Sequence, residues 1–397
     1  TYYSKAYDKL DFSKLEFDKK IISDEDFNNN KTLNREEIFK KLNEKTLQIA
    51  RELDEKKIDS KIVSFIDTNR EAGELVDKGY IQPHFVINYI DDVLEFVEDK
   101  NSGSITSNPT DFFSGAFQQN LKVRVLDIYI TSMGDFYRKT DRQKGARCYL
   151  QAVRLENARL NYLPDFTTVF PVSPSLERLT KLTYGSKDDS NYNQYILNKL
   201  KPYQKNNYEW ILKNQLYITN VIVDEALPLV MTGPFGKVAG VVLERERKYM
   251  NDLRIKVLDE YAEDPCFFSG RMMAFTDKPS IMGNVQSVVM QKSYESYYTF
   301  LAYIKANRIM SALNLYWQNH GVFPEKLEEI SPVYIDEVPA DYFAADLKFK
   351  YKPEKGSYLL YSVGPDGADN QGGTPFNMKT GNGDIIFSLT QNETPGL

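Results

Sequence analysis

Residues 348–367 read Lys-Phe-Lys-Tyr-Lys-Pro-Glu-Lys-Gly-Ser-Tyr-Leu-Leu-Tyr-Ser-Val-Gly-Pro-Asp-Gly. Lys348 to Lys352 alternates charged and aromatic side chains, the period-two pattern of a half-buried strand. Pro353-Glu-Lys-Gly356 is a turn by composition, and Tyr358 to Val363 returns as an apolar, aromatic strand. The stretch therefore predicts an antiparallel hairpin. A loop rich in glycine and aspartate follows over 364–384, then Asp384-Ile-Ile-Phe387 predicts a last short strand, with a loose tail after Thr390. Working upstream, Tyr294 to Asn319 carries Tyr297, Leu301, Ile304, Ile309, Leu313, Tyr316 and Trp317 at helical spacing. Gly321 stands where a left-handed residue ends a helix. Leu327 and Ile330 are spaced to face inward from one helical turn.

The chain before residue 293 has a different texture. Residues 1–30 mix charges with scattered aromatics and predict an irregular or partly helical lead-in. Asn34-Arg-Glu-Glu37 forms a capping box before Ile38, Leu42, Ile49 and Leu53. Further helices are predicted over Ser60–Lys78, from Pro83 through Val97, over 111–138 and over 141–161. Pro164, Pro171 and Pro174 break the pattern, and Gly185–Asn193 reads as a polar loop. Helices are expected again over 190–200, 203–227 and 240–262, with mixed structure over 264–292. No fixed-period repeat is present, which leaves a regular solenoid unsupported. The expected fold class is α+β: a mostly α-helical domain over 1–292, then a small module over 293–390 made of a long helix and an antiparallel sheet.

Composition narrows the function. The 397 residues carry 50 Lys and Arg against 56 Asp and Glu, a formal charge of −6, with 42% hydrophobic residues. That is ordinary globular composition. It excludes a membrane-embedded bundle and a disordered tail, and without a basic excess it disfavours nucleic acid as a partner. Only two histidines, His84 and His320, and two cysteines, Cys148 and Cys266, are present. A multi-histidine metal site, a histidine relay and a disulfide scaffold are excluded. The cysteines form one bridge in an oxidising compartment or remain two buried thiols; both readings stay open.

The motifs at the C-terminal end occur in a characteristic order. Leu315-Tyr-Trp-Gln-Asn-His-Gly-Val-Phe-Pro324 comes first, then Leu327, Ile330 and Val338-Pro-Ala-Asp341. Tyr358-Leu-Leu-Tyr-Ser-Val-Gly-Pro-Asp-Gly367 and Gly383-Asp384-Ile385 complete it. This order resembles the globular part of the major pseudopilins of type II secretion systems, over roughly residues 296–388. The resemblance implies a calcium-binding loop, with Asp366, Asp384 and the Val363 carbonyl as ligands and Asp369 and Asn382 as further ones. Carboxylates, amide oxygens and turned carbonyls are the hard donors calcium takes. The stretch from 369 to 384 is long for the family. A processed phenylalanine followed by an apolar helix, which opens a pseudopilin, is also not found: the chain starts Thr1-Tyr-Tyr-Ser-Lys. The pattern is closer to larger bacterial envelope proteins that end in such a module. It implies an extracytoplasmic location, in the periplasm or at the cell surface, and attachment to a membrane only through an N-terminal anchor outside these residues.

Other constellations carry less. His320 reads as a helix-ending turn residue and His84 as a structural residue at a helix start. Gly233-Pro-Phe-Gly-Lys237 lacks the spacing and hydroxyl of a phosphate loop, since Val238 follows. Glu244-Arg-Glu-Arg-Lys248 reads as a solvated helix face. Asp91-Asp92 and Asp188-Asp189 are the acid pairs a carboxylate hydrolase would use, but sequence neighbours on a helix do not face one another. The expectation is a non-enzymatic envelope protein that binds protein partners or self-assembles. A carboxylate-dependent hydrolase and a subunit of a secretion or pilus-like filament are the alternatives.

Overall fold

The computed structural model describes residues 2–10, 64, 66–80, 123–162 with gaps before 131, 173–213, single positions between 241 and 258, and 281–388 except 378 and 379. The fold class is α+β, with helices followed by a small C-terminal antiparallel sheet. The chain divides into two compact units, Thr1–Phe85 with Leu121–Glu156, and Val86–Asn120 with Asn157–Leu397. No helix among the described residues is long and apolar enough to cross a membrane. The helices expected over 34–53 and from Pro83 lie outside the described residues.

In the first unit, α1 (Tyr2–Lys9) and α2 (Arg70–Tyr80) pack together. Helix α1 buries Tyr3 and Ala6, and α2 buries Ala72, Val76 and Gly79 at i, i+4, i+7. Helix α3 (Arg142–Tyr162) matches the expected 141–161 closely and buries Ala146, Tyr149, Leu150 and Val153. Asp77 on α2 accepts hydrogen bonds from Gln151 Nε2 at 2.6 Å and Arg147 Nη2 at 3.3 Å. A residue larger than glycine is excluded at 134, where a Cβ would stand 2.3 Å from the Tyr149 ring.

The second unit is organised on α6 (Ile281–His320), after α4 (Pro174–Tyr184) and α5 (Ser190–Leu200). Helix α4 was not expected from the sequence, and α6 starts earlier than Tyr294. Pro174 does not merely break a helix; it occupies the first turn of α4, where a missing N–H is free of cost, and Ser173 Oγ caps it by accepting the Ser175 N–H at 3.3 Å. Asp189 caps α5 by accepting the Tyr192 N–H at 2.9 Å, so the polar loop after Gly185 is short. Both helices pack on α6 through a stripe of amides at i, i+7 and i+11. Asn307 Nδ2 donates to Thr180 Oγ1 at 2.8 Å, Asn314 Nδ2 to the Thr183 carbonyl at 2.9 Å and Asn193 Oδ1 at 3.0 Å, and Gln318 Nε2 to the Lys187 carbonyl at 2.6 Å. Asn314 is fully buried. Replacing it with leucine leaves the Thr183 carbonyl its bond from the Ser186 N–H at 3.1 Å but takes the Asn314 donor from Asn193 Oδ1, so urea unfolding of Asn314→Leu should show a loss of about 1–3 kcal/mol. An unchanged midpoint would mean the amide ladder does not hold the hairpin to α6.

Five of the 27 tyrosines gather in one cluster. Tyr208, Tyr294, Tyr297, Tyr298, Tyr342 and Phe343 pack with ring centroids 4.4 to 6.2 Å apart, several of them edge to face. Their hydroxyls are satisfied: Tyr297 Oη accepts the Asn207 N–H at 2.7 Å, and Tyr294 Oη donates to the Tyr342 carbonyl at 3.2 Å.

Helix α6 ends as the sequence predicts. Gly321 has φ +72° and its N–H reaches the Trp317 carbonyl at 2.7 Å. A 3₁₀ turn over Leu327–Ile330 then buries Leu327 and Ile330. Strands β1 (Lys350–Glu354), β2 (Ser357–Ser362) and β3 (Ile385–Ile386) form one antiparallel sheet in the order β1-β2-β3. Lys350 pairs with Tyr361 and Glu354 with Ser357, so the hairpin turn is Lys355-Gly356 and Pro353 sits on the edge strand, where its missing N–H is tolerated. Tyr358 and Leu360 are buried, and Phe323 meets Tyr358 edge to face at 4.8 Å.

Candidate metal site

Strand β2 runs directly into the acidic loop, and two glycines let the loop fold back on itself. Gly364 has φ +75°, and a Cβ there would stand 2.2 Å from the Gly383 carbonyl oxygen. Gly383 has φ +98°, and its Cβ would stand 2.7 Å from the Pro375 carbonyl oxygen and 2.8 Å from that of Thr374. Three chain segments, near 364, 374 and 383, thus touch backbone to backbone. Only glycine permits that approach at these φ values.

The aspartates tie these crossings. Asp366 Oδ2 accepts the Gly383 N–H at 2.8 Å, and its Oδ1 accepts the Ala368 N–H at 3.1 Å. Asp384 is fully buried; its Oδ2 accepts the Gly372 N–H at 2.7 Å and its Oδ1 the Asn370 N–H at 3.3 Å. Its own N–H donates to the Thr374 carbonyl at 2.8 Å. Asp369 is exposed and turns to β2, where Oδ1 accepts from Tyr361 Oη at 2.9 Å and from the Gln371 N–H at 2.8 Å. Asn382 is exposed and its carbonyl accepts the Asn377 N–H at 2.8 Å. Val363 is buried next to Gly364.

Burial holds the Asp384 carboxyl above the usual carboxylate range, and the charges of Asp369 and Asp366 add to that, against the pull of the Gly372 and Asn370 amides. The Tyr361 hydroxyl is likewise raised, by burial and then by Asp369. The charged form of Asp384 is therefore disfavoured where the loop is tightest. The donors are all hard oxygens, the chemistry a calcium ion requires. Among the described residues, however, no three acidic, histidine or cysteine side chains gather at metal-binding distance. A cation here would rest on Asp366 and Asp384 with backbone carbonyls, not on a cage of three carboxylates.

The other candidates are placed individually. Asp189 serves as a helix cap, and Asp188 is exposed. His320 is exposed and stacks on Tyr316 with centroids 4.2 Å apart, close to Tyr334 Oη at 3.3 Å. Glu244, Arg245 and Lys248 are helical and exposed. Cys148 is a buried free thiol, pushed up to about 12 by burial. His84, Asp91, Asp92, Gly233–Lys237 and Cys266 lie outside the described residues.

The sequence presents Asp341 only as part of a motif and gives no sign of its setting. It is 1% exposed, with Oδ1 accepting the Phe343 N–H at 3.1 Å and Oδ2 making no well-formed hydrogen bond. Burial pushes this carboxyl up to about 6, against the pull of the Ser362 hydroxyl, the Phe343 amide and the charges of Lys305 and Lys350. Lys305 is itself buried, donating to the Ala340 carbonyl at 2.7 Å with its Nζ 4.0 Å from the Tyr342 ring centre. Ser362 Oγ accepts the Gly364 N–H at 3.2 Å, which connects this buried group to the start of the acidic loop. Compared with known family models, curated proteins and solved structures, the chain matches none.

Proposed function

We propose that this is a non-enzymatic protein of a bacterial cell envelope, active in protein–protein recognition or assembly, whose pseudopilin-like C-terminal module is steadied by calcium. The observation that carries the reading is the loop of Gly364 to Asp384. Its motif order resembles that of the pseudopilin module, and Asp366 and Asp384 accept backbone N–H groups from the segments that cross there. A divalent ion would offset the repulsion among Asp366, Asp369 and Asp384 and so fix the loop against the hairpin. The placement outside the cytoplasm and the anchoring through a preceding segment rest on the resemblance alone.

Thermal unfolding with calcium and with chelator tests it. A ligand at about 100 times its dissociation constant adds about 2.7 kcal/mol, so the wild-type midpoint should rise on calcium addition. Asp366→Ala should lose that rise and weaken capture of the partner or of a second copy. Retention of both by Asp366→Ala would remove calcium from the mechanism.

A further inference from the structure

Among the described residues, three exposed large apolar side chains fall in one short stretch: Val322 at 62%, Val333 at 77% and Leu347 at 42%. Leu347 is the unusual one. Its φ is +58°, where a Cβ crowds the backbone and where glycine, asparagine or aspartate is the usual residue. The turn uses its backbone: the Leu347 carbonyl accepts the Asp341 N–H at 3.0 Å, and its N–H donates to the Ala344 carbonyl at 2.9 Å. Asparagine would supply both groups with less strain. A leucine held there, strained and exposed, is not explained by the turn it closes.

Contacts join these positions into one surface. Lys348, next to Leu347, places Nζ 3.1 Å from Glu328 Oε1 on the 3₁₀ turn. On the same turn Glu329 Oε2 accepts from Tyr316 Oη at 3.2 Å. Tyr316 stacks on His320, two residues before Val322, and meets Tyr334, next to Val333, edge to face at 5.8 Å. The surface has an acidic side and a basic side. Glu325, Glu328 and Glu329 make up the first, with Lys326 among them. Lys348, Lys350 and Lys352 make up the second, at alternate positions entering and along β1. Tyr351 Oη donates to the Pro324 carbonyl at 2.8 Å, which keeps the two sides adjacent. Asp346 holds Lys350 at 2.8 Å, whereas Glu325 and Lys352 are exposed and make no ion pair among the described residues.

Opposite charges side by side on one surface are complementary to a copy of themselves turned by a two-fold axis, because each side then meets its opposite. A partner of single charge would answer only half of it. We infer that this surface is an interface between two copies of the chain, related by a two-fold axis, with the lysines of each copy against the glutamates of the other and Leu347, Val322 and Val333 in the contact. The inference rests on the assembly role proposed above and gives it a place. It does not rest on calcium, since none of these residues belongs to the acidic loop.

Sedimentation velocity of the full chain over a concentration series, in chelator and at low and high sodium chloride, tests it. Wild type should show a monomer–dimer equilibrium whose dissociation constant rises with salt, because exposed charges are screened. Leu347→Asn suits the left-handed backbone, so it should fold as wild type does by circular dichroism and weaken the dimer about tenfold or more. Glu325→Lys and Lys352→Glu each set like charges against one another and should weaken the dimer alone, while an equimolar mixture of the two should restore it. The proposal is overturned if wild type stays monomeric at every concentration, which leaves the surface to a different protein, or if it grows beyond a dimer, which means head-to-tail contacts. It is also overturned if Leu347→Asn dimerises as wild type does, or if mixing the two charge reversals restores nothing. A chain that is monomeric in chelator and dimeric only in calcium would move assembly to the acidic loop, striking this interface and leaving the metal reading in place.

Discussion

Gly364→Ala is expected to lose on the order of 4 kcal/mol or more of stability, a size reserved for a few mechanisms. Two effects add. The residue sits at φ +75°, which strains any L side chain, and the new Cβ would lie 2.2 Å from a backbone carbonyl oxygen that has no freedom to rotate away. Gly356 provides the control. It has the same φ of +75° but nothing within 4 Å of the place a methyl would take, so Gly356→Ala should cost only about 1–2 kcal/mol, the left-handed penalty alone. Denaturant midpoints of the two variants measure the difference. Equal losses would mean that the crossing of the chain at Gly364 and Gly383 does not exist in solution.

Asp341→Asn is expected to stabilise the protein at neutral pH. The folded carboxyl titrates near 6, above an unfolded value of about 3.9, so folding binds its proton more tightly. Its favourable contribution is complete below about pH 4 and is lost as pH rises through 6; above that, the ionised group destabilises the fold by roughly 3 kcal/mol. Asparagine keeps an oxygen for the Phe343 N–H and carries no charge. The variant should therefore unfold at a higher temperature than wild type at pH 8 and lose most of that advantage at pH 4. Glu328 and Asp346, held below the usual range by hydrogen bonding and by Lys348 and Lys350, give the opposite slope in both proteins and cancel in the comparison. Parallel pH profiles for the two proteins would place Asp341 in water.

Much of the architecture is written locally. The end of α6, the 3₁₀ turn and the hairpin follow from Gly321, Leu327, Ile330 and the alternation before Gly356, because each depends on neighbours in sequence. The start of α6 does not. Mixed structure is expected up to 292, yet the helix runs from Ile281 through Gly283, and the packing of the rest of the element outweighs one poor residue. Helix α4 was hidden by Pro174, whose meaning reverses between a helix interior and a first turn.

The acidic loop was recognisable as a cluster of aspartates and glycines, but the division of labour within it was not. That Asp384 points inward while Asp369 turns to Tyr361 depends on which segments cross, and contacts between residues 364 and 383 have no local signature. The burial of Asp341 was missed for the same reason: its motif carries no sign of it, and only the tertiary fold takes the carboxyl out of water.

Calcium titration of the full chain by calorimetry, beside Asp384→Asn, tests the central claim most directly. Wild type should give heat of binding that saturates at one ion per chain, and the variant should lose it while remaining folded. A wild-type protein that gives no binding heat, and melts identically with calcium and with chelator, would contradict the claim.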